Sequence, residues 1–234
     1  MDGTADTGQR RRPNRQTVGL VLTGGGSRSA YQVGVLLAYA SRYGHALIDR
    51  ELYLPRSWAD DPERRREAGV PQEVGFTTKP RQAQAMIARA VAAGVPFAWF
   101  TADETYGQAK WLQAWLEERD IWYVMAIRCS DTLTTSEGER RADALIAALS
   151  SRAWQTISAG AGAHGPREYH WARLPVRPGW KRGRGHWLLA RRSLSDPAEI
   201  AYYACYGPRR CSTADLAWTA GSRWHVDQRG YAFS

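Results

Sequence analysis

At 234 residues, with 44% hydrophobic and 24% charged side chains, the chain is long enough to bury a sizeable core and too apolar to be a disordered polyelectrolyte. A net charge of +9 and a pI near 9.8 point to a polyanionic partner. Three cysteines without paired spacing (Cys129, Cys205, Cys211) argue against a disulfide framework or a zinc knuckle, and no run of about twenty apolar residues is present to span a membrane. With no apolar segment of a secretion signal behind the basic N-terminus, the expected setting is cytoplasmic, away from the membrane.

Residues 1–16 are polar and carry Arg10, Arg11, Arg12 and Arg15, which predicts a solvated basic tail. Residues 17–22 read as a strand that runs into Thr23-Gly24-Gly25-Gly26, a glycine turn whose N–H groups could face an anion. Two further strand-like segments, 32–39 and 46–54, flank Arg42-Tyr43-Gly44-His45 and predict a hairpin. Residues 55–75 are charged and rich in Pro and Gly, a surface loop anchored by Trp58. Thr78-Lys79-Pro80 announces a helix with Met86, Ile87, Ala90 and Val91 as its buried stripe and Gly94 at its end.

The next stretch organises the rest. An apolar run, 96–100, ends on Thr101, Ala102 and Asp103; Trp111, Leu112, Trp115 and Leu116 then recur at helical spacing, and a second apolar run follows at 121–127. Apolar run, acid, helix, apolar run is the pattern of a parallel strand–helix–strand unit, whose first strand opens at its C-terminal end on a crevice. Asp103 at that end is either the N-cap of the following helix or a ligand for a hard cation, and from the residues alone the cap is the commoner outcome. Beyond it, Ala142, Leu145, Ile146 and Leu149 form a core stripe. Residues 151–208 read as short strands and turns, and 209–234 as a helix.

Two resemblances emerge from these residues. The run TVGLVLTGGGSRSAYQVGVL resembles the opening of patatin-like phospholipases, although no serine here has the Gly-x-Ser-x-Gly elbow of that family's nucleophile. A glycine turn between two strands is the preferred reading of it. Three strands, a helix, a strand ending on an acid, a helix and another strand match the RNase-H-like order. ALIDRELYLPRSWADDPERRREAGVP, FTTKP, AGVPFAWFTADETYG, WLEERDIWYVMAIRCS and AGSRWHVDQ, in that order, are similar to DDE-type transposases of bacterial insertion sequences. Both resemblances share QVGVL, residues 32–36, which suggests a junction of two reading frames there.

The transposase resemblance implies an α/β fold: an RNase-H-like mixed sheet flanked by helices, with a β-rich insertion (151–208) between a core (17–150) and a truncated C-terminal helix (209–234). It implies DNA transposition by metal-dependent cleavage and strand transfer at insertion-sequence ends, with Mg²⁺ or Mn²⁺ held by three carboxylates. Two metals sharpen the nucleophile and stabilise the leaving oxygen, and hard cations take oxygen ligands from separate elements. By the resemblance Asp103 is the second ligand, and Asp227 stands where the family has Glu, one methylene shorter. The first position is filled by Thr23 and its glycines, so an inactive, degenerate member is expected. Replacement of that ligand by Asp49 is disfavoured against a salt bridge with Arg50 or a neighbour. Arg223 matches a basic residue that steadies DNA phosphates, and Ala220 stands where relatives carry a Tyr.

Within 151–208, Arg167, Arg177, Lys181, Arg182 and Arg184 interleave with Trp180 and Trp187. Arginine and lysine contact phosphates and tryptophan stacks on unpaired bases, so these residues suit DNA as well as they suit a solvated hairpin. His164, His170, His186 and His225 lack zinc-ligand spacing. DNA ends are the expected partner, with a homodimer as one arrangement. A non-catalytic DNA-binding protein and, further off, a patatin-like acyl hydrolase are the competing readings.

Overall fold

The computed structural model describes residues 19–24, 34–41, 43–162, 165–177 and 181–229, and side chains among these except at 23–24, 161–162 and 224–229. The basic tail and most of the glycine segment lie outside the described residues. In chain order come β1 (Leu20–Gly24), β2 (Gly34–Ser41), β3 (Gly44–Leu52), α1 (Arg56–Ala59), α2 (Pro62–Glu67), α3 (Lys79–Ala92) and β4 (Trp99–Ala102). There follow α4 (Glu104–Gly107), α5 (Lys110–Glu118), β5 (Trp122–Ile127), β6 (Thr132–Thr135), β7 (Gly138–Arg141) and α6 (Ala142–Ala147). After a 3₁₀ turn the chain forms β8 (Gln155–Gly162), β9 (Gly165–Val176), β10 (Arg184–Arg192), β11 (Ile200–Pro208) and α7 (Thr213–Arg229).

The described strands other than β6 and β7 make one sheet in the order β3-β2-β1-β4-β5-β11-β10-β9-β8. β1 to β3 form an antiparallel meander, β4 lies parallel to β1, and β5 parallel to β4. From β11 outward every pairing is antiparallel. This is the expected RNase-H-like mixed sheet, and the β-rich insertion before the last helix extends that same sheet past β5.

Alternation along the strands splits the core between two faces, because residues two apart point the same way. Leu20, Leu22, Val35, Leu37, Phe100, Tyr123 and Met125 pack with α3, α5 and α6 in one buried cluster. Trp99, Val124, Trp171, Leu189 and Tyr203 pack with Leu216, Ala217 and Ala220 of α7 in another. On α5, Leu112 and Leu116 are fully buried as expected, whereas Trp111 is 38% exposed and lies under the Arg81 guanidinium at 4.0 Å. The stripe of α3 is corrected at one end. Gln82, Ala83, Met86, Ile87 and Ala90 are buried, but Val91 is 45% exposed, because it sits about 100° round the helix from the stripe's centre. Gly94 ends that helix at φ 68°, a left-handed turn that suits glycine.

Residues 55–75 differ from the expected loop by containing two short helices. Asp61 caps α2 by accepting the Arg64 N–H at 3.0 Å, and Pro62 takes the first helical position, where its missing donor does no harm. Arg65 then gathers the return path, donating to the carbonyls of Pro71 (3.0 Å), Gln72 (3.2 Å) and Val74 (2.6 Å). Arg65→Ala strands those acceptors but exposes them to water, so the expected effect is local: faster protease nicking within 68–76 with a melting temperature changed by no more than about 2–4 °C, the equivalent of roughly 1 kcal/mol. Limited proteolysis with mass mapping checks it.

Candidate active site at the C-terminal end of the central strands

β4 occupies the middle of the RNase-H-like core, between β1 and β5, and Asp103 is the first residue past its end. Leu22 of β1 pairs in register with Ala102, so the next residues up the two strands are Thr23 and Asp103. Asp103 is half-buried and its backbone is extended (φ −75°, ψ −177°), the N-cap conformation for α4. Its Oδ1 accepts the Thr105 N–H at 2.8 Å. Both readings of this acid therefore meet at one position: it caps a helix, and it does so at the strand end where an α/β sheet places its chemistry. Glu104 is exposed and pairs with Arg128 at 2.8 Å.

Asp227 lies in the last turns of α7, and its side chain is outside the described residues. The direction of the helix can be followed. Leu216 and Ala217 pack with Trp99 at the start of β4, and Gly221 lies against Ala159 of β8. Ala159 follows Ser158, which pairs with Glu168, beyond the last β9–β10 pair at His170 and Arg192. α7 thus climbs from the lower end of the sheet toward the end that carries Asp103.

Do these residues fit a pair of divalent ions? Such ions need several converging hard oxygens. Among the described residues no three of His, Cys, Asp or Glu gather in one place. β1 reads Leu-Val-Leu-Thr-Gly and supplies no carboxylate, and one oxygen of Asp103 already takes a backbone N–H. The described donors do not fit a two-metal site. Asp49 offers no substitute, since its Oδ2 accepts from Arg89 at 2.9 Å rather than from the Arg50 side chain.

The basic residues of 177–184 occupy the other end of the sheet. Arg184 pairs with Pro208 at the foot of β10, and there its guanidinium grips Asp120, with Nε 2.6 Å from Oδ1. The Tyr206 hydroxyl donates to the same carboxylate at 2.8 Å, and Lys181 stands 3.8 Å away. One turn back, buried Glu117 is approached by Arg177 Nη1 (3.1 Å), His186 Nε2 (3.1 Å) and the Tyr123 hydroxyl (2.7 Å). Burial pushes the Glu117 carboxyl up, but the bonds from His186 and Tyr123 and the charge of Arg177 outweigh it and hold it below the usual range. Asp120 is held low in the same way by Arg184 and Tyr206 against its own burial. Arg177, Lys181 and Arg184 therefore bind acids of this chain, Arg182 is exposed, and Arg223 is half-buried on α7. Arg191, which the sequence reading passed over, lies on the α7 face of β10 beside Arg167 of β9. The signal was available in the alternation Arg167-Tyr169-Trp171.

The family model described as DDE superfamily endonuclease matches residues 3–145, more than half of the chain. This chain belongs to the DDE superfamily endonuclease family. No curated protein matches it. The matched span takes in both the glycine segment and the pentapeptide 32–36, so the likeness to patatin-like phospholipases and the idea of a junction gain no support. Membership makes the protein transposase-like and nuclease-like at family level, with DNA as the substrate class and divalent metals as the family's general cofactor. Among the described residues no helix is long and apolar enough to cross a membrane.

Proposed function

We propose that this chain is a transposase-type protein of an insertion sequence that engages DNA ends but does not cleave them. Residues 17–150 are the core of this reading, 151–208 its insertion and 209–234 the returning helix. One observation carries it: the parallel pairing of β1 with β4 sets Thr23 level with Asp103, where the family resemblance calls for two carboxylates. A lone capping aspartate can hold a backbone N–H and attract a cation, but it cannot share a pair of ions with a neighbour that has no charge. What the chain keeps is positive charge, +9 overall. Arg223 and the exposed Arg182 remain the sequence-derived candidates for phosphate contact.

A plasmid-nicking assay with linear and supercoiled DNA tests it, with Mg²⁺ and with Mn²⁺. The expected outcome is DNA binding whose affinity falls steeply with salt, without nicking above background. Metal-dependent nicking that disappears in Asp103→Ala refutes the inactive reading and restores Asp103, with Asp227, as ligands.

A further inference from the structure

A row of cations stacked on aromatic rings crosses the α3 side of the sheet at the end that carries Asp103. Register fixes that end: Leu22 pairs with Ala102, Gly24 with Val35 and Gly34 with Leu52, so β3 finishes where β1 and β4 do. Gln82 Nε2 donates to the Leu52 carbonyl at 2.6 Å, which sets the first turn of α3 there too. Lys79 Nζ stands 5.1 Å from the ring centroid of Tyr53, the residue after β3, and the Arg56 guanidinium 4.8 Å from that of Phe76. The Arg81 guanidinium lies 4.0 Å from the Trp111 ring at the start of α5. Gln113 Nε2, donating to the Gly107 carbonyl at 2.6 Å, ties that start to α4, the helix that Asp103 caps.

Acids of the chain do not neutralise this row. Asp49 and Glu51 take Arg89, Glu63 takes Arg66 and Glu104 takes Arg128. Among the described residues no carboxylate pairs with Arg56, Lys79 or Arg81. Arg56 and Arg81 are exposed, as are Phe76 and Trp111 beneath them at 38% each, so the row faces water and not the interior. Stacking holds a guanidinium by its face and leaves the N–H groups at its edge open to a phosphate. Lys79 and Arg81 also stand in the first turn of α3, which contains no acid and whose N-cap Thr78 makes no side-chain bond. Cations at the positive end of a helix oppose its dipole, and an anion set between them turns that repulsion into attraction. β3 lies three strand spacings from β4, about 14 Å, which is roughly four nucleotides along one strand.

We propose that Arg56, Lys79 and Arg81 bind successive phosphates of a DNA strand that runs on to the C-terminal end of β4. The surface rests on the DNA reading above and adds to it residues that the basic stretch 177–184 does not contain. Fluorescence anisotropy of the full chain with a labelled duplex, over a series of NaCl concentrations, measures it. Arg56→Gln, Lys79→Gln and Arg81→Gln are each expected to weaken binding about five- to tenfold near 0.1 M salt. Each is expected to flatten the plot of log affinity against log salt by about 0.9, the loss of one phosphate contact, and Arg81→Lys to keep the slope. In Arg81→Gln the lost ring contact and the relieved helix-dipole repulsion have opposite signs and similar sizes, so the melting temperature is expected to stay within about 2 °C of the wild type. Arg210→Gln removes the same charge from an exposed side chain just past β11, at the opposite end of the sheet, and is expected to change neither affinity nor slope. Wild-type protein that binds DNA with a slope unchanged in the three glutamine variants overturns this surface alone. Wild-type protein that binds no DNA overturns the surface together with the proposed function.

Discussion

Glu117→Leu is expected to cost about 3–5 kcal/mol of stability, the range for removing one partner of a buried ion pair. The reason lies in what the carboxylate leaves behind. Arg177, His186 and Tyr123 all point at Glu117, whose side chain is 2% exposed; Arg177, 33% exposed, can turn to water, but buried His186 and Tyr123 cannot. At the size of this chain the loss amounts to roughly 10 °C in melting temperature. The same cluster sets an acid limit. Glu117 and Asp120 both have folded-state pKa values below their unfolded ones, which are about 4.3 and about 3.9. The unfolded chain therefore binds more protons at low pH. Their stabilisation is complete above those unfolded values and is lost as pH falls through the folded ones. Urea titrations at pH 7 and pH 4 are expected to show a smaller difference for Glu117→Leu than for the wild type. A loss below 1 kcal/mol at pH 7, or an unchanged pH difference, refutes the role given to the cluster.

This cluster also shows where the sequence stops being readable. Glu117 and Arg177 are separated by 60 residues, and Asp120 and Arg184 by 64. A charge run displays its sign in the sequence but not its partner, so Arg177, Lys181 and Arg184 looked like ligands for phosphate. They become internal ion pairs once β10 folds beside β11 at the foot of the sheet. The unit from β4 to β5 was legible because its cues are local: an apolar run, an acid, apolar residues at helical spacing, another apolar run. The hairpin of β2 and β3 was legible for the same reason. The helices α1 and α2 were not, since segments of four and six residues are too short to show an apolar period, and only the Asp61-Pro62 cap marks the second of them. Nor could local pattern show that β8 to β11 would continue the main sheet. That depends on β11 pairing with β5, a contact across some eighty residues. Asp103 was read correctly as the end of the central strand. The residues alone favoured the cap and the resemblance favoured the ligand, and the cap is the contact that the fold contains.

A single added methyl at Gly221 is expected to push α7 off the sheet. An alanine there would gain about 1 kcal/mol from helix propensity alone. Its Cβ, however, would stand 2.2 Å from the Ala159 carbonyl oxygen and 2.8 Å from the Ala159 Cβ. The obstacle is backbone of β8, which cannot swing aside as a long side chain would, so α7 must move away from the sheet. Overpacking of this kind costs about 1–3 kcal/mol, and the contact here is closer than any Cβ tolerates, so the clash outweighs the propensity gain. The displacement also breaks the bond from Arg167 to the Gly221 carbonyl and shifts Arg223 two residues further on. Gly221→Ala is therefore expected to lower the melting temperature by about 4–8 °C, equivalent to a net loss near 2 kcal/mol, and to weaken DNA binding in the protein that remains folded. Gly221→Val, with two more carbons at the same obstruction and a β-branched side chain in a helix, is expected to prevent stable folding. An alanine variant that melts higher than the wild type shows that α7 stands further from β8 than the Ala159 contact requires. Arg167 would then no longer bridge the Ala159 and Gly221 carbonyls.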